Sequence, residues 1–259
     1  MTAFETLTFS QSGPITNIVL NRPDAANGMN DTLTRELAVA ATLCDTETTK
    51  VVTITGAGRF FCAGGDLKAM AAAPNPGAFV KGIADDLHRA LSTFARMDAV
   101  VITVVNGTAA GAGFSLAVTG DLVLSAESAK FTMAYTKAGL SPDGSSSYYL
   151  PRLIGIRRTQ QLMLTNRTLK AAEALDWGLL TEVVPDTELA ARAEALAGEM
   201  AATSRTSNGT VKRLLLGTYR TGLEEQMELE SQYIRDSARS ADGQEGIAAF
   251  VAKRAPVFG

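Results

Sequence analysis

The chain has 259 residues, of which 46% are hydrophobic and 20% charged, and its formal net charge is −3. These values are typical of a globular protein with a sizeable core, and they indicate no basic surface for nucleic acid or an anionic membrane. Its apolar runs fall short of the about 18 residues that a membrane-spanning helix requires. Two cysteines and one histidine supply neither a disulfide framework nor a zinc site. We expect a cytoplasmic protein without a metal, a nucleic-acid partner or a membrane partner.

Short apolar strands alternate with amphipathic helices through roughly the first 185 residues, which predicts an α/β fold with parallel pairing. From residue 187 onward the pattern is helical and indicates no further strand. The pattern predicts strands at residues 7–9, 15–20, 51–55, 100–105, 121–125 and 180–184, and helices at 32–45, 79–97, 146–153, 157–164 and 171–177.

Two stretches between these elements are predicted to lack regular structure. Residues 60–67 are mostly small and are predicted to form a loop that leads into a short helix. Residues 71–77 are rich in Ala, Pro and Gly, and they are predicted to form a mobile linker before the long helix.

The chain is organised around residues 100–116, where a β-branched strand runs through Gly and Ala into a helix. Small residues at such a helix start leave free backbone N–H groups, and the helix dipole adds partial positive charge there. The loop at residues 63–65 has the same composition. Two such amides converging on one carbonyl oxygen would form an oxyanion hole. The same small residues also permit close packing of strand and helix, so composition alone leaves both interpretations open.

Five segments resemble the crotonase (enoyl-CoA hydratase/isomerase) superfamily, in the correct order and across nearly the whole chain. The resemblance implies an α/β, crotonase-type spiral of ββα units over residues 1–195 with the acyl-CoA site. It also implies a helical C-terminal trimerisation region at 196–259, and homotrimers or dimers of trimers. The segments are residues 18–23 with Asn27, 61–67, 106–107 with 111–113, 172–179 and 253–258.

The resemblance also implies which residues contact the substrate. The backbone amides of Gly65 and Ala112 would hold the thioester carbonyl of an acyl-CoA, with Ala112 in place of the usual glycine. Phe250 and Lys253 would reach coenzyme A from a neighbouring subunit. No cofactor is expected apart from the coenzyme A that the substrate carries. The other positions that match substrate or coenzyme A contacts are Ala26, Asn27, Ala63, Asp66, Leu67 and Tyr135.

The departures from the family pattern indicate the reaction. Hydratases of this family use two glutamates, at positions that are Ser115 and Tyr135 here. Adding water needs one group to position the water and one to manage the α-proton, so we expect no efficient hydration. Asp143 is the acidic residue that remains as a candidate base. A single carboxylate at this position resembles the base of the enoyl-CoA isomerases, which moves one proton from C2 to C4.

Three alternatives stay open at this level. Asp143 lies in a Pro-Asp-Gly sequence before serines, which is also typical of a turn or a helix cap. The region also resembles the 4-chlorobenzoyl-CoA dehalogenase branch, in which Asp143 would be the nucleophile and His88 the general base. The chain would otherwise be a catalytically silent homologue that binds coenzyme A or another partner.

Overall fold

The architecture consists of two sheets surrounded by helices, in a computed structural model that describes residues 3–259. The strands are β1 (Leu7–Ser12), β2 (Ile15–Leu20), β3 (Val51–Gly56), β4 (Phe60–Cys62), β5 (Val100–Val105), β6 (Thr108–Ala110), β7 (Leu122–Ala126), β8 (Lys130–Thr132), β9 (Leu169–Lys170) and β10 (Glu182–Val184). The helices are α1 (Asp31–Cys44), α2 (Leu67–Ala72), α3 (Pro76–Arg96), α4 (Ala112–Ala117), α5 (Ser146–Thr165), α6 (Ala171–Asp176), α7 (Leu189–Ala201), α8 (Arg205–Gly217), α9 (Leu223–Arg239) and α10 (Ala241–Val251).

The larger sheet has the strand order β1-β2-β3-β5-β7-β10. The first two strands form an antiparallel hairpin, and every later strand is parallel to its neighbour. The β-branched strand β5 is buried along its whole length, as expected for a strand covered on both faces. One face packs against α1 and α3, and the other packs against α7. The α/β prediction is confirmed.

The smaller sheet has the order β4-β6-β8-β9 and was not predicted as a sheet. The prediction of a loop at residues 60–67 was wrong for β4, which pairs in parallel with β6. Asn27 helps to hold β4 in place, because its side-chain amide donates to the main-chain oxygens of Phe60 and Phe61. Successive ββα units place one strand in each sheet, so β4, β6 and β8 end side by side.

The helix starts follow local capping chemistry. The side chain of Asn30 accepts a hydrogen bond from the Leu33 N–H at the start of α1. Asn75 caps α3 in the same way, and Pro76 occupies its first turn. The linker predicted at residues 71–77 is therefore wrong: α2 extends to Ala72, and only three residues separate it from α3. The two helices predicted at 146–153 and 157–164 form the two halves of α5, which bends at Gly155.

The C-terminal helices extend the core and then leave it. Residue 195, the predicted boundary of the spiral core, lies inside α7, and α7 packs on the larger sheet. Lys212 anchors α8, because its buried ammonium pairs with Asp121 at 2.7 Å and donates to the main-chain oxygens of Phe94 and Ala99. Beyond it, α9 has no buried residue, and α10 has one. None of the helices described over residues 3–259 is long and apolar enough to cross a membrane.

Candidate functional site

Two loops meet where the parallel strands β4 and β6 end. A Cβ atom on Gly64 would lie 2.7 Å from the main-chain oxygen of Ala110 and 3.3 Å from the main-chain nitrogen of Ala112. Only glycine fits this close approach, and its φ of +92° also favours glycine. The N–H groups of Gly65 and Ala112 donate to no protein acceptor within residues 3–259. Ala112 is the first residue of α4, so its N–H also lies at the positive end of a helix.

A cavity of about 360 Å³ opens beside these two amides. Gly65, Ala112 and Asp143 all line it, so the structure brings together three of the four predicted catalytic positions, without His88. The remaining wall is mostly aliphatic, and Asp143 is the one carboxylate that the described chain contributes to it. Other lining residues include Leu67, Met70, Val80, Ile83, Leu87 and Leu140.

The Asp143 side chain is not a helix cap. Its main-chain oxygen accepts hydrogen bonds from the amide and hydroxyl of Ser146, while the carboxylate faces away from the start of α5. Oδ1 accepts a hydrogen bond of 2.6 Å from the hydroxyl of Tyr135. The carboxylate remains partly exposed toward the cavity. The turn-and-cap interpretation therefore describes the main chain of this residue and not its carboxylate.

Ser115 and Tyr135, at the two positions where the resemblance leads us to expect glutamates, form one network with Asp143. The buried Ser115 hydroxyl donates to the main-chain oxygen of Asp143 at 3.0 Å and lies 3.2 Å from the Tyr135 hydroxyl. Burial raises the pKa of Tyr135, and the negative charge of Asp143 raises it further. Tyr135 is therefore a neutral donor at ordinary pH, and it directs its proton to the carboxylate.

His88, on α3, lies behind this network and not in the cavity wall. Its Nε2 accepts a hydrogen bond of 3.1 Å from the N–H of Gly144, and it lies 3.9 Å from Oδ2 of Asp143. A nitrogen that accepts an amide proton carries none of its own, so this pair is not an ion pair. His88 instead lines a second cavity of about 340 Å³ on the other side of the loop.

The residues matched to coenzyme A contacts separate into two groups. Ala63 and Leu67 are exposed at the mouth of the cavity, beside Asp66. Ala26 is half-buried, and its main-chain oxygen accepts from the Ala63 amide. Asn27 is fully buried, with its side-chain oxygen and amide engaged by main-chain groups. Its side chain is committed to the fold, so a ligand contact there would have to involve its backbone.

Phe250 and Lys253 lie outside the cavity wall. Phe250 is 84% exposed on α10, and Lys253 follows the end of that helix. Neither lines the cavity of its own chain, so their predicted contact with coenzyme A stays a prediction that requires a second subunit. The exposed apolar residues on the C-terminal helices include Leu215, Leu223, Met227, Ile234, Ile247 and Val251.

Sequence reasoning missed several residues that shape the cavity. Met70 reaches Gly65, where its terminal methyl occupies the space of a Cβ, and Ile83 forms part of the wall on α3. Apolar residues at helical spacing on α3 were the available signal, but they indicate a core face equally well. Phe114, one residue before Ser115 on α4, does not line the cavity and lies in the core against Phe131.

Metal or thiolate chemistry has little support in the described part of the chain. No group of three His, Cys, Asp or Glu side chains within residues 3–259 is arranged to hold a metal ion. Burial raises the pKa of the Cys62 thiol to about 12, so this residue beside the loop is not a thiolate nucleophile. Besides the side chains of Lys81, Tyr135 and Ser141, the polar groups that line the cavity are one carboxylate and two free amides.

Residues 10–259 match the model of the enoyl-CoA hydratase/isomerase family. The chain is 39% identical over 250 residues to 1,2-epoxyphenylacetyl-CoA isomerase of Escherichia coli, covering 94% of each protein. It is 33% identical to carnitinyl-CoA dehydratase of Salmonella typhi, covering 98% of each. A crystal structure of an enoyl-CoA hydratase from Polaromonas sp. JS666 matches with a TM-score of 0.92 at 29% identity, covering 98% of this chain and 99% of that one. The predicted crotonase fold is confirmed.

Proposed function

Because the chain belongs to the enoyl-CoA hydratase/isomerase family, we propose that it is an acyl-CoA double-bond isomerase in which Asp143 is the base. The substrate is a 3-enoyl thioester, and the product is the conjugated 2-enoyl thioester. No cofactor takes part beyond the coenzyme A of the substrate. The two free, buried cysteines suit a reducing cytoplasm as its location.

The reaction begins with the thioester oxygen between the amides of Gly65 and Ala112. Asp143 removes a proton from C2, and the electrons of the broken C–H bond pass to the thioester oxygen as an enolate. The two amides stabilise this oxyanion, a contribution worth about 10²–10³-fold in rate for each donor in comparable sites. The double bond then shifts to C2–C3 as Asp143 returns the proton to C4, so one carboxylate serves both transfers.

The observation that carries this proposal is the single carboxylate of Asp143 in a cavity that also contains the two free amides. Hydration requires a second group that activates water, and Ser115 and Tyr135 supply no carboxylate for that role. Their hydroxyls are engaged with Asp143 instead. The aliphatic wall suits an acyl chain and keeps water from the enolate.

The dehalogenase alternative receives less support from this geometry. It needs His88 to activate water beside an aryl ester on Asp143, but the Nε2 of His88 accepts the Gly144 amide proton. His88 also lines the second cavity and not the first. A silent homologue is less consistent with a cavity in which base and oxyanion donors are all present.

A second candidate substrate comes from the Escherichia coli relative, whose name gives 1,2-epoxyphenylacetyl-CoA as its substrate. The identity of 39% over 94% of both chains makes this thioester part of any test. Both candidates are isomerisations of an acyl-CoA, so they use the same oxyanion donors. They differ in whether the acyl group is an open chain or a ring.

We propose the family's trimer, or a dimer of trimers, as the assembly, with Phe250 and Lys253 contributing to a neighbour's coenzyme A site. The exposed apolar residues on α8, α9 and α10 support this, since a patch of that kind is unusual on a monomer. Light scattering measures the state directly. A monodisperse monomer at assay concentrations would contradict the assembly without affecting the role of Asp143.

The test is a panel of four thioesters, 3-enoyl-CoA, crotonyl-CoA, 4-chlorobenzoyl-CoA and 1,2-epoxyphenylacetyl-CoA, assayed with the wild type and Asp143→Asn. We expect the wild type to isomerise 3-enoyl-CoA and the variant to lose about 10²–10⁴-fold in kcat. Asp176→Asn is the matched control, because Asp176 is exposed on α6 and does not line the cavity. It should keep wild-type activity.

Each rival function has its own signature in the panel. Efficient hydration of crotonyl-CoA would identify a hydratase, and chloride release from 4-chlorobenzoyl-CoA would identify a dehalogenase. A thermal shift with acyl-CoA but no turnover of any thioester would identify a silent homologue. Full activity in Asp143→Asn would remove Asp143 from the mechanism.

A further inference from the structure

The peptide group between Asp143 and Gly144 is held at both of its polar ends. At the carbonyl end, the Asp143 oxygen accepts hydrogen bonds from the hydroxyls of Ser115 at 3.0 Å and Ser146 at 2.9 Å. At the amide end, the Gly144 N–H donates to Nε2 of His88 at 3.1 Å. His88 therefore supplies the only contact that fixes the amide end of this peptide within the described chain.

The backbone that follows needs such support. Gly144 has a φ of +60° and Ser145 a φ of +65°, so two consecutive residues adopt the left-handed conformation. Ser145 carries a Cβ, so the left-handed conformation is unfavourable for it. Such a conformation persists only where surrounding contacts impose it. This peptide is bonded directly to Cα of Asp143, so a change in the loop backbone that displaces the peptide would also displace that Cα and the side chain it carries. The direction of the carboxylate thus depends on the anchoring of the peptide.

We propose that His88 is a positioning residue for Asp143, acting through its unprotonated Nε2 on the N–H of Gly144. This inference rests on the proposed function of Asp143 as the base. His88 has 48% of its side chain exposed and does not line the cavity where the thioester would bind. It contacts no reacting atom in this assignment.

The hydrogen bond from Gly144 requires that Nε2 of the His88 imidazole carries no proton. A protonated ring would present an N–H to the N–H of Gly144, and the two donors would separate. The protonated ring would instead be attracted to Oδ2 of Asp143, which is 3.9 Å from Nε2, and would form an ion pair with the proposed base. Activity therefore requires the neutral ring. The charged and titratable groups that share the helix or the second cavity with His88 are Lys81, Asp85, Asp86, Arg89, Arg96, Tyr148, Tyr149 and Arg220.

The test compares variants that remove or retain the acceptor. His88→Leu and His88→Ala lack it, whereas His88→Gln keeps an oxygen at about the position of Nε2. We expect the first two to lower kcat on 3-enoyl-CoA about tenfold or more, since a hydrogen bond of ordinary strength is lost, with KM little changed. Hydrogen exchange at the Gly144 amide, measured by NMR, should accelerate by a similar factor. His88→Gln should restore both quantities toward the wild type.

A variant that leaves the acceptor in place provides the control. Ser92→Ala is the control variant, because Ser92 lines the same second cavity on α3 without contacting the loop. It should leave kcat and Gly144 exchange unchanged.

Two results would overturn the proposal. If His88→Gln is as inactive as His88→Leu while Gly144 exchange stays normal, His88 acts chemically and not by position. If both acceptor-free variants leave Gly144 exchange unchanged, the contact does not anchor the loop. The exchange measurement needs no turnover, so it decides the anchoring even if the wild type isomerises none of the four thioesters. Failure of the proposed function would then be recognised separately, by the thioester panel.

Discussion

The hydroxyl of Tyr135 donates a hydrogen bond of 2.6 Å to Oδ1 of Asp143, which leaves Oδ2 as the oxygen without a donor. Removing this hydroxyl should displace the Asp143 carboxylate and remove a hydrogen bond that stabilises its negative charge. We expect Tyr135→Phe to lower kcat on 3-enoyl-CoA about tenfold. KM should change little, because the two amides that would hold the thioester are not altered.

The control for this substitution is Tyr219→Phe, since Tyr219 is exposed and lies outside the cavity wall. Its kinetics should equal those of the wild type. An unchanged kcat in Tyr135→Phe would show that the phenol does not support the reacting carboxylate during turnover.

Gly144 and Gly139 provide a matched pair of left-handed glycines. A Cβ on Gly144 would lie 2.7 Å from Cβ of Ser115, whereas a Cβ on Gly139 would meet nothing within 4 Å. Gly139→Ala should cost about 1–2 kcal/mol in the free energy of unfolding, from backbone strain alone. Gly144→Ala should cost about 1–3 kcal/mol more and should also reduce kcat, because the clash displaces the loop of Asp143. Urea denaturation and steady-state kinetics measure the two effects, and equal unfolding free energies would contradict the predicted clash.

The cavity wall near the oxyanion donors depends on Met70. A Cβ on Gly65 would overlap the terminal methyl of Met70, which is the flexible end of that side chain. We expect Gly65→Ala to push Met70 into the cavity and to raise KM for the thioester several-fold, with a stability loss of about 1 kcal/mol. The double variant Gly65→Ala/Met70→Ala should recover KM. Additive effects in this double-mutant cycle would indicate that the two residues do not interact.

Asp66 should contribute stability that depends on pH. Burial raises its pKa, but hydrogen bonds from the Ala69 amide and the Arg22 guanidinium, with the charge of Arg22, lower it more, so the net pKa is below its ordinary value. A pKa lowered in the folded state stabilises the fold above the unfolded pKa, and this contribution disappears as pH falls through the folded pKa. Asp66→Asn keeps a capping side chain but loses the charge.

We therefore expect Asp66→Asn to cost about 1 kcal/mol in unfolding free energy at neutral pH and progressively less between about pH 5 and about pH 3. Asp176→Asn, at an exposed position, should show no such trend. Denaturation curves across this pH range check the prediction. A cost for Asp66→Asn that does not vary with pH would contradict the charge-dependent part.

Periodicity predicted the larger sheet and the long helices, because their residues alternate or repeat over enough positions to define a buried face. It failed for β4 and β6, which are three residues long and lie in small-residue segments. Their pairing depends on neighbours far along the chain, including the Asn27 amide that donates to Phe60 and Phe61. No local pattern contains that information.

The site was predicted unevenly for the same reason. The Gly-Ala composition indicated free amides in two loops, and the family resemblance named those of Gly65 and Ala112, which the structure places beside one cavity. Asp143 could be separated from an ordinary turn aspartate only by the family resemblance, since Pro-Asp-Gly favours a turn in any protein. The contact of His88 with Gly144 spans 56 residues of sequence and requires the folded geometry.

Both oxyanion donors are main-chain amides, and this affects how the protein can diverge. A substitution that exchanges one ordinary side chain for another leaves an amide in place, so only proline or a shifted backbone removes the donor. Asp143, Tyr135 and Ser115, in contrast, can each be replaced by a single substitution. The two amides that bind the thioester oxygen can thus be retained as the sequence diverges, while the reaction performed on the bound acyl group changes.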